Sequence, residues 1–415
     1  MGLGIKFVLY LYSTLFMSSS KDINSIINSA WGEDHNSLSD KFHDKIIELN
    51  ITPTAACELI GIETRTLAGI LNASLKQPDL LSISKFCVFI GLDPKIGISL
   101  YLDQMNKVNG DPLSTVKRNK FLVETFDLPN LKKTGFISSV KDYDAIEVKI
   151  KTYFGFDSIY EYNKVNVTPA FSTTNKKKSS GQIEFWIASA YRQFIRIENP
   201  NPYDRDELLK IISSFRDYSI DLGDGLIKVS QELFKQGITV LFQPSMAALQ
   251  TKGAVLPVKD KPCIIISDFN KSYASIWHSL IHELFHVLFD WDDIRENKYC
   301  RLSDDEDEDP REIEADSFAY DYLLPPLYER ALHHNFNDVY FVEQIAKKEK
   351  IHSSIILFEF GNRHKKKETR YWILFNKLAP KIHEFGRRLN LNSWEDPISA
   401  VDNASNIKNQ INIKN

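Results

Sequence analysis

Apolar residues recur at helical intervals over most of the chain and give way to strand-like runs in one short stretch. From Leu38 to Leu49, the positions Phe42, Ile46, Ile47 and Leu49 keep the spacing of an amphipathic helix. Thr52 then offers an N-cap, with Pro53 at the first helical position, for a helix ending at Ile60 before Gly61. A third helix is expected over Glu63–Asn72, with Leu67, Ile70 and Leu71 on one face, followed by helices over Asp79–Ile90 and Lys95–Met105.

Further along, the pattern weakens. Residues 106–182 mix charges with scattered aromatics and end in a Thr, Ser, Asn and Lys-rich stretch (164–182) that reads as a solvated linker. Helical spacing returns over Ile183–Ile197, Asp204–Phe215 and Leu226–Gln236. The period then changes: Ile238–Phe242, Ala254–Val258 and Cys263–Ser267 are rich in β-formers and predict a small sheet just before the next helix. The expected class is α+β, an all-α N-terminal bundle joined to a domain with a small sheet. The boundaries are an extension over 1–37, a helical domain over 38–105, a linker or connecting region over 106–182, a second domain over 183–390 and a tail over 391–415 that reads as frayed from 400 onward.

Composition narrows the picture modestly. Lys+Arg of 51 against Asp+Glu of 55 gives a formal charge of -4, which excludes a sequence-blind, histone-like nucleic-acid binder. The four cysteines, Cys57, Cys87, Cys263 and Cys300, form no CxxC pair and predict a reduced, cytoplasmic protein. Phe7–Met17 is apolar but short of the ~20 residues a bilayer span needs. It resembles a signal-peptide core only weakly, and the reading adopted is an upstream start, with translation beginning at Met17. No membrane association is expected.

The chemistry concentrates in Trp277–Phe289, WHSLIHELFHVLF. His282 and His286 lie one helical turn apart on one face and can share a Zn²⁺ ion, with Glu283 beside them as general base. A catalytic zinc commonly takes a third protein ligand. In REIEADSFAYDYLL (311–324), Glu312 is the choice, since Asp316 then falls on the same face and can hydrogen-bond the far nitrogen of a ligand histidine. Glu314, on another side of that helix, is the competitor. His278 shares the face of His282, with packing as its expected role. His352 and Tyr320 are weaker candidates for stabilising an oxyanion.

HELFH followed by EIEADSFAYDYLLP resembles the ImmA/IrrE family of zinc metallopeptidases, as does IAKKEKIHSSIILFEF (345–360). Phe285 stands where that family often has Gly, which should alter how the Glu312 helix packs. TPTAACELIGIETRTLAGILNAS resembles the XRE helix-turn-helix family, and many ImmA/IrrE members begin with such a module. That resemblance makes Glu63–Asn72 a recognition helix, with Thr64, Arg65 and Thr66 as DNA contacts. The two resemblances together imply a zincin-like metalloendopeptidase that hydrolyses a peptide bond in a regulatory protein such as a repressor. They also admit an alternative: a transcriptional regulator or HigA-type antitoxin whose second domain senses rather than cuts. Expected partners are a protein substrate, DNA and a second copy of the chain.

Three charged runs read as solvated surface: Lys176–Lys178, the acidic run Asp304–Asp309, and Arg363–Lys367 with Arg387 and Arg388 beyond it. The acidic run, lying between the two metal-site helices, could also steer a basic substrate.

Overall fold

The computed structural model describes residues 37–411, apart from Lys76, Pro78, Pro112, 165–167, 171–179, 247–250, Asn270, 305–308, 365–368, Asn390 and Asn392. Phe7–Met17, Lys176–Lys178 and most of the acidic run therefore lie outside the described residues. The chain divides into two compact units, Met1–Arg118 and Asn119–Asn415.

In the first unit, four helices start where a short polar side chain meets the free amides of the first turn. α1 (Leu38–Glu48) opens with a capping box: Ser37 N–H donates to Asp40 at 2.9 Å, and Asp40 N–H to Ser37 Oγ at 3.2 Å. α2 (Pro53–Ile60) is capped by Thr52 and stops at Gly61, whose φ of 69° is costly for any residue with a Cβ. α3 (Thr64–Leu71), α4 (Leu80–Phe89) and α5 (Pro94–Asn109) follow, the last two capped by Asp79 and Asp93. Phe42, Ile46, Cys57, Ile60, Leu67, Ile70, Phe86 and Tyr101 form a shared core.

α6 (Ser114–Thr125) crosses the division. In the second unit, α7 (Leu128–Lys133), α8 (Tyr143–Phe154), β1 (Thr168–Ala170) and α9 (Ser180–Ile197) precede α10 (Arg205–Ile211) and α11 (Gly225–Lys235). Strands β2 (Thr239–Gln243), β3 (Thr251–Val258) and β4 (Lys261–Ser267) lead into α12 (Tyr273–Phe289). Then come α13 (Trp291–Asn297), β5 (Tyr299–Asp304) and α14 (Pro310–Leu323). Helices α15 (Glu329–Asn335), α16 (Val339–Glu349), α17 (Ser353–Arg363), α18 (Thr369–Leu378), α19 (Ile382–Phe385) and α20 (Ala400–Ile411) complete it.

The strands form one mixed sheet in the order β1-β5-β3-β4-β2. β3 and β4 make an antiparallel hairpin whose two turn residues, Lys259 and Asp260, both have positive φ, as a type I′ turn demands. Alternation along the strands feeds two cores. Val240, Phe242, Val255, Ile264 and Ile266 face the layer containing α12, while Leu241, Ala254, Leu256, Cys263 and Ile265 face a second helical layer. Buried on both faces, such strands read as near-continuous apolar runs such as CIIIS.

That second layer corrects two expected boundaries. Residues 119–164 are no linker: Leu122, Leu131, Phe136, Ile146, Ile150 and Phe154 are buried in its core. Nor is 400–411 a frayed tail. Ala400, Ala404, Ile407 and Ile411 line one face of α20 and are buried, and Asn403 Nδ2 donates to Gln193 Oε1 on α9 at 2.8 Å. The aromatics of 119–164 lie on several short helices, so no single periodic run announces them, and the Asn-rich outer face of α20 masks its apolar stripe.

Candidate metal centre

α12 runs across one face of the sheet, buried over nearly its whole length. Its helical turn brings His282 and His286 side by side, with Nε2 atoms 3.3 Å apart. α14 packs against it and supplies Glu312, whose Oε2 lies 2.9 Å from His282 Nε2 and whose Oε1 lies 3.3 Å from His286 Nε2. Each edge of this triangle is close to the ~3.4 Å that separates tetrahedral ligands bound at ~2.1 Å from zinc. Two imidazoles and one carboxylate are also a donor set that zinc accepts. The residues present therefore fit the ion.

Around the triangle, each donor is held by a second group. His282 Nδ1 lies 2.8 Å from Asp316 Oδ1, and His286 Nδ1 lies 2.7 Å from Asp290 Oδ2. Both rings thus have their far nitrogens bound to carboxylates, leaving Nε2 as the inward donor. Arg311 Nε donates to Asp290 at 2.6 Å, and Arg301 Nε on β5 donates to Glu312 Oε1 at 2.8 Å. Glu312 is buried, whereas Glu314 is 58 % exposed at its side chain and pairs with Arg311 on the outer side of α14. The structure brings Glu312 and Asp316 to the histidines and leaves Glu314 outside.

Charge follows the geometry. Burial would push the His282 imidazolium down, but Asp316 and Glu312 outweigh it and hold the metal-free ring up at about 10. Burial would raise Glu312, yet hydrogen bonds to the two histidines keep it below the usual carboxylate range. Glu283 differs. It is 0 % exposed, and neither oxygen has a hydrogen-bond partner among the described residues. Burial dominates and raises it to about 6, with His282 and His286 pulling weakly the other way. Glu312 adds to the rise, and the nearby hydroxyl of Ser303 on β5, though not within hydrogen-bond geometry, lowers it.

The carboxylate of Glu283 fits because β3 presents a glycine. A Cβ on Gly253 would lie 2.3 Å from Glu283 Oε1, and β3 is irregular between Thr251 and Gly253 where it pairs with β5. Sequence reasoning missed Gly253, Arg301 and Asp290. Asp290 carried a signal, since it lies one turn beyond His286. Phe285 packs its ring 5.7 Å from that of Phe318 on α14, with the Arg311 guanidinium 4.7 Å over it, so the bulky residue ties α14 to α12.

The remaining expectations fall elsewhere. His352 caps α17 and accepts from Ser354 N–H, a structural role. The Tyr320 ring lies 5.0 Å from the ring of His278 and beneath the guanidinium of Arg363. His278 is buried and bonded at both nitrogens, to Glu359 and Asp316. In the first unit, Thr64 and Arg65 are exposed and Thr66 is half-buried at the start of α3.

Residues 235–357 match the model of the Peptidase_M78 family, described as the IrrE N-terminal-like domain. The stretch runs from the end of α11 into α17 and contains every residue of the donor triangle. It supports the likeness to the ImmA/IrrE metallopeptidases over that part of the chain, and a metallopeptidase-type function. Neither the curated proteins nor the solved structures returned a match. No described helix is long and apolar enough to cross a membrane.

Proposed function

We propose that the second unit is a zinc-dependent metalloendopeptidase acting on a regulatory protein, addressed to its target by the N-terminal helices. One observation carries the reading: the converging donors of His282, His286 and Glu312 stand beside a buried carboxylate, Glu283, that has no partner of its own. A structural zinc site would favour four protein ligands and would have no use for that carboxylate. Zinc held by the three residues supplies Lewis acidity toward a peptide carbonyl and toward water.

The chain's own groups do the rest. Asp316 and Asp290 fix the two imidazole rings, and Arg301 fixes Glu312. Glu283, unpaired and raised to about 6, is ionised at neutral pH and takes a proton from the attacking water, then delivers it to the leaving amine. The exposed Thr64 and Arg65, with Thr66 behind them, are proposed to touch DNA. Retardation of an operator fragment at low salt checks that contact, and no retardation there sinks it. The free, buried cysteines agree with a reducing cytoplasm.

Glu283→Gln tests the chemistry. It should keep zinc and abolish cleavage. Comparing the proteomes of cells carrying wild type and variant should show a regulatory protein whose fragments appear only with wild type. Identical fragment patterns would refute the mechanism.

A further inference from the structure

Glu359 on α17 is a carboxylate buried at 0 % exposure, far in sequence from the donor triangle. Both its oxygens lie on His278 Nδ1, at 3.0 and 3.2 Å. His278, also buried, turns Nε2 toward Asp316 Oδ1 at 3.2 Å. The same oxygen lies 2.8 Å from His282 Nδ1. A continuous line therefore runs from α17 through α12 to α14 and back to the ring that offers Nε2 to the metal. Two carboxylates flank one imidazole, so both contacts need one proton beyond that of a neutral ring, carried by the ring or by Glu359. A buried polar pair of this kind stabilises a fold no better than apolar residues of the same shape. Its arrangement suits another purpose: Asp316 is gripped from two sides by histidines, which leaves it little freedom to rotate.

We infer that Glu359 and His278 are positioning residues for the metal centre, holding Asp316 and, through it, the His282 ring. The inference rests on the metallopeptidase reading above. Outer partners of metal-bound histidines commonly change metal affinity by about 10–100-fold, and these two act one step further out.

The test measures zinc affinity by competition with a chromophoric chelator, using the full chain. Glu359→Gln, which keeps the volume, should weaken zinc about 10-fold, at the low end of that range. On an Asp316→Asn background, the same substitution should leave affinity unchanged, because the line is already cut. His278→Phe/Glu359→Leu replaces both partners with apolar groups, keeps the layer packed and should weaken zinc to the same extent. Unchanged zinc affinity in Glu359→Gln and in the double variant overturns the inference and leaves the peptidase reading standing. An equal loss with and without Asp316→Asn also overturns it, since a merely structural effect would not depend on Asp316. If wild type takes up no zinc at all, the peptidase reading fails and this inference falls with it.

Discussion

Gly253 sets the room available to Glu283. With 2.3 Å between a built Cβ and Oε1, and 2.8 Å to Cγ and Cδ, Gly253→Ala forces the carboxylate aside. A misplacement near 1 Å commonly costs about 100-fold in rate. The variant should therefore lose about that much hydrolysis while binding zinc as wild type does, checked by peptide cleavage alongside metal content. Acid sensitivity belongs to the same side chain. As a base, Glu283 works only when ionised, so kcat/KM should fall in acid: burial raises the group to about 6 in the metal-free chain, and the positive charge of bound zinc moves the limb below that. A kcat/KM that does not fall in acid would contradict its role as the base. The linkage has the opposite sense for stability. Between about 4.5 and about 6 the folded chain holds a proton that the unfolded chain has lost, so this group makes metal-free protein less stable as pH rises through that window. His282 and His286 pair by helical spacing, as do Glu312 and Asp316, which made each pair legible; that the two helices meet does not follow from that spacing. Gly253, Arg301 and Ser303 were not legible, because they reach the site from strands whose pairing register no local pattern reveals.

Two helices and one interior strand make the centre. α12 presents the imidazoles, α14 brings Glu312 and Asp316 as a pair one turn apart, and β5 reaches over with Arg301. Without metal, the acids of α14 keep a proton on His282 up to about 10, against the burial that would strip it. Zinc and that proton compete for Nε2. Zinc uptake at neutral pH should then release at least one proton, and affinity should strengthen as pH rises toward 10. Calorimetry in two buffers of different ionisation enthalpy measures the release. Equal heats in both would mean that the α14 acids do not hold the ring protonated. The helices of the site could be read from apolar periodicity, and β2, β3 and β4 from their β-rich runs. β1 and β5 could not: Thr168–Ala170 sits in polar sequence, and Tyr299–Asp304 runs into the acids.

At the scale of the whole molecule, the division at Arg118 and Asn119 makes the second unit longer at both ends than its motifs suggest. The sheet is covered on one face by α12 and its neighbours, and on the other by a layer drawn from 119–164, α9 and α20. Each large apolar side chain in that layer contributes about 1.5–3 kcal/mol by burial. Removing Leu122, Leu131, Phe136, Ile146, Ile150, Phe154, Ile407 and Ile411 uncovers Leu241, Ala254, Leu256 and Ile265 on the sheet face, a loss comparable with the ~5–15 kcal/mol by which a domain is stable at all. A fragment covering 183–390, the limits that motif and composition suggest, should fail to fold despite containing every residue of the donor triangle. One covering 111–415 begins where Asp111 accepts from Leu113 N–H at the entry to α6, and it retains both layers. It should melt cooperatively and bind one zinc. Circular dichroism melting with metal analysis of the two fragments decides the matter. A folded, zinc-binding 183–390 would mean that the second layer is dispensable and that the chain's motifs alone mark the limits of the unit.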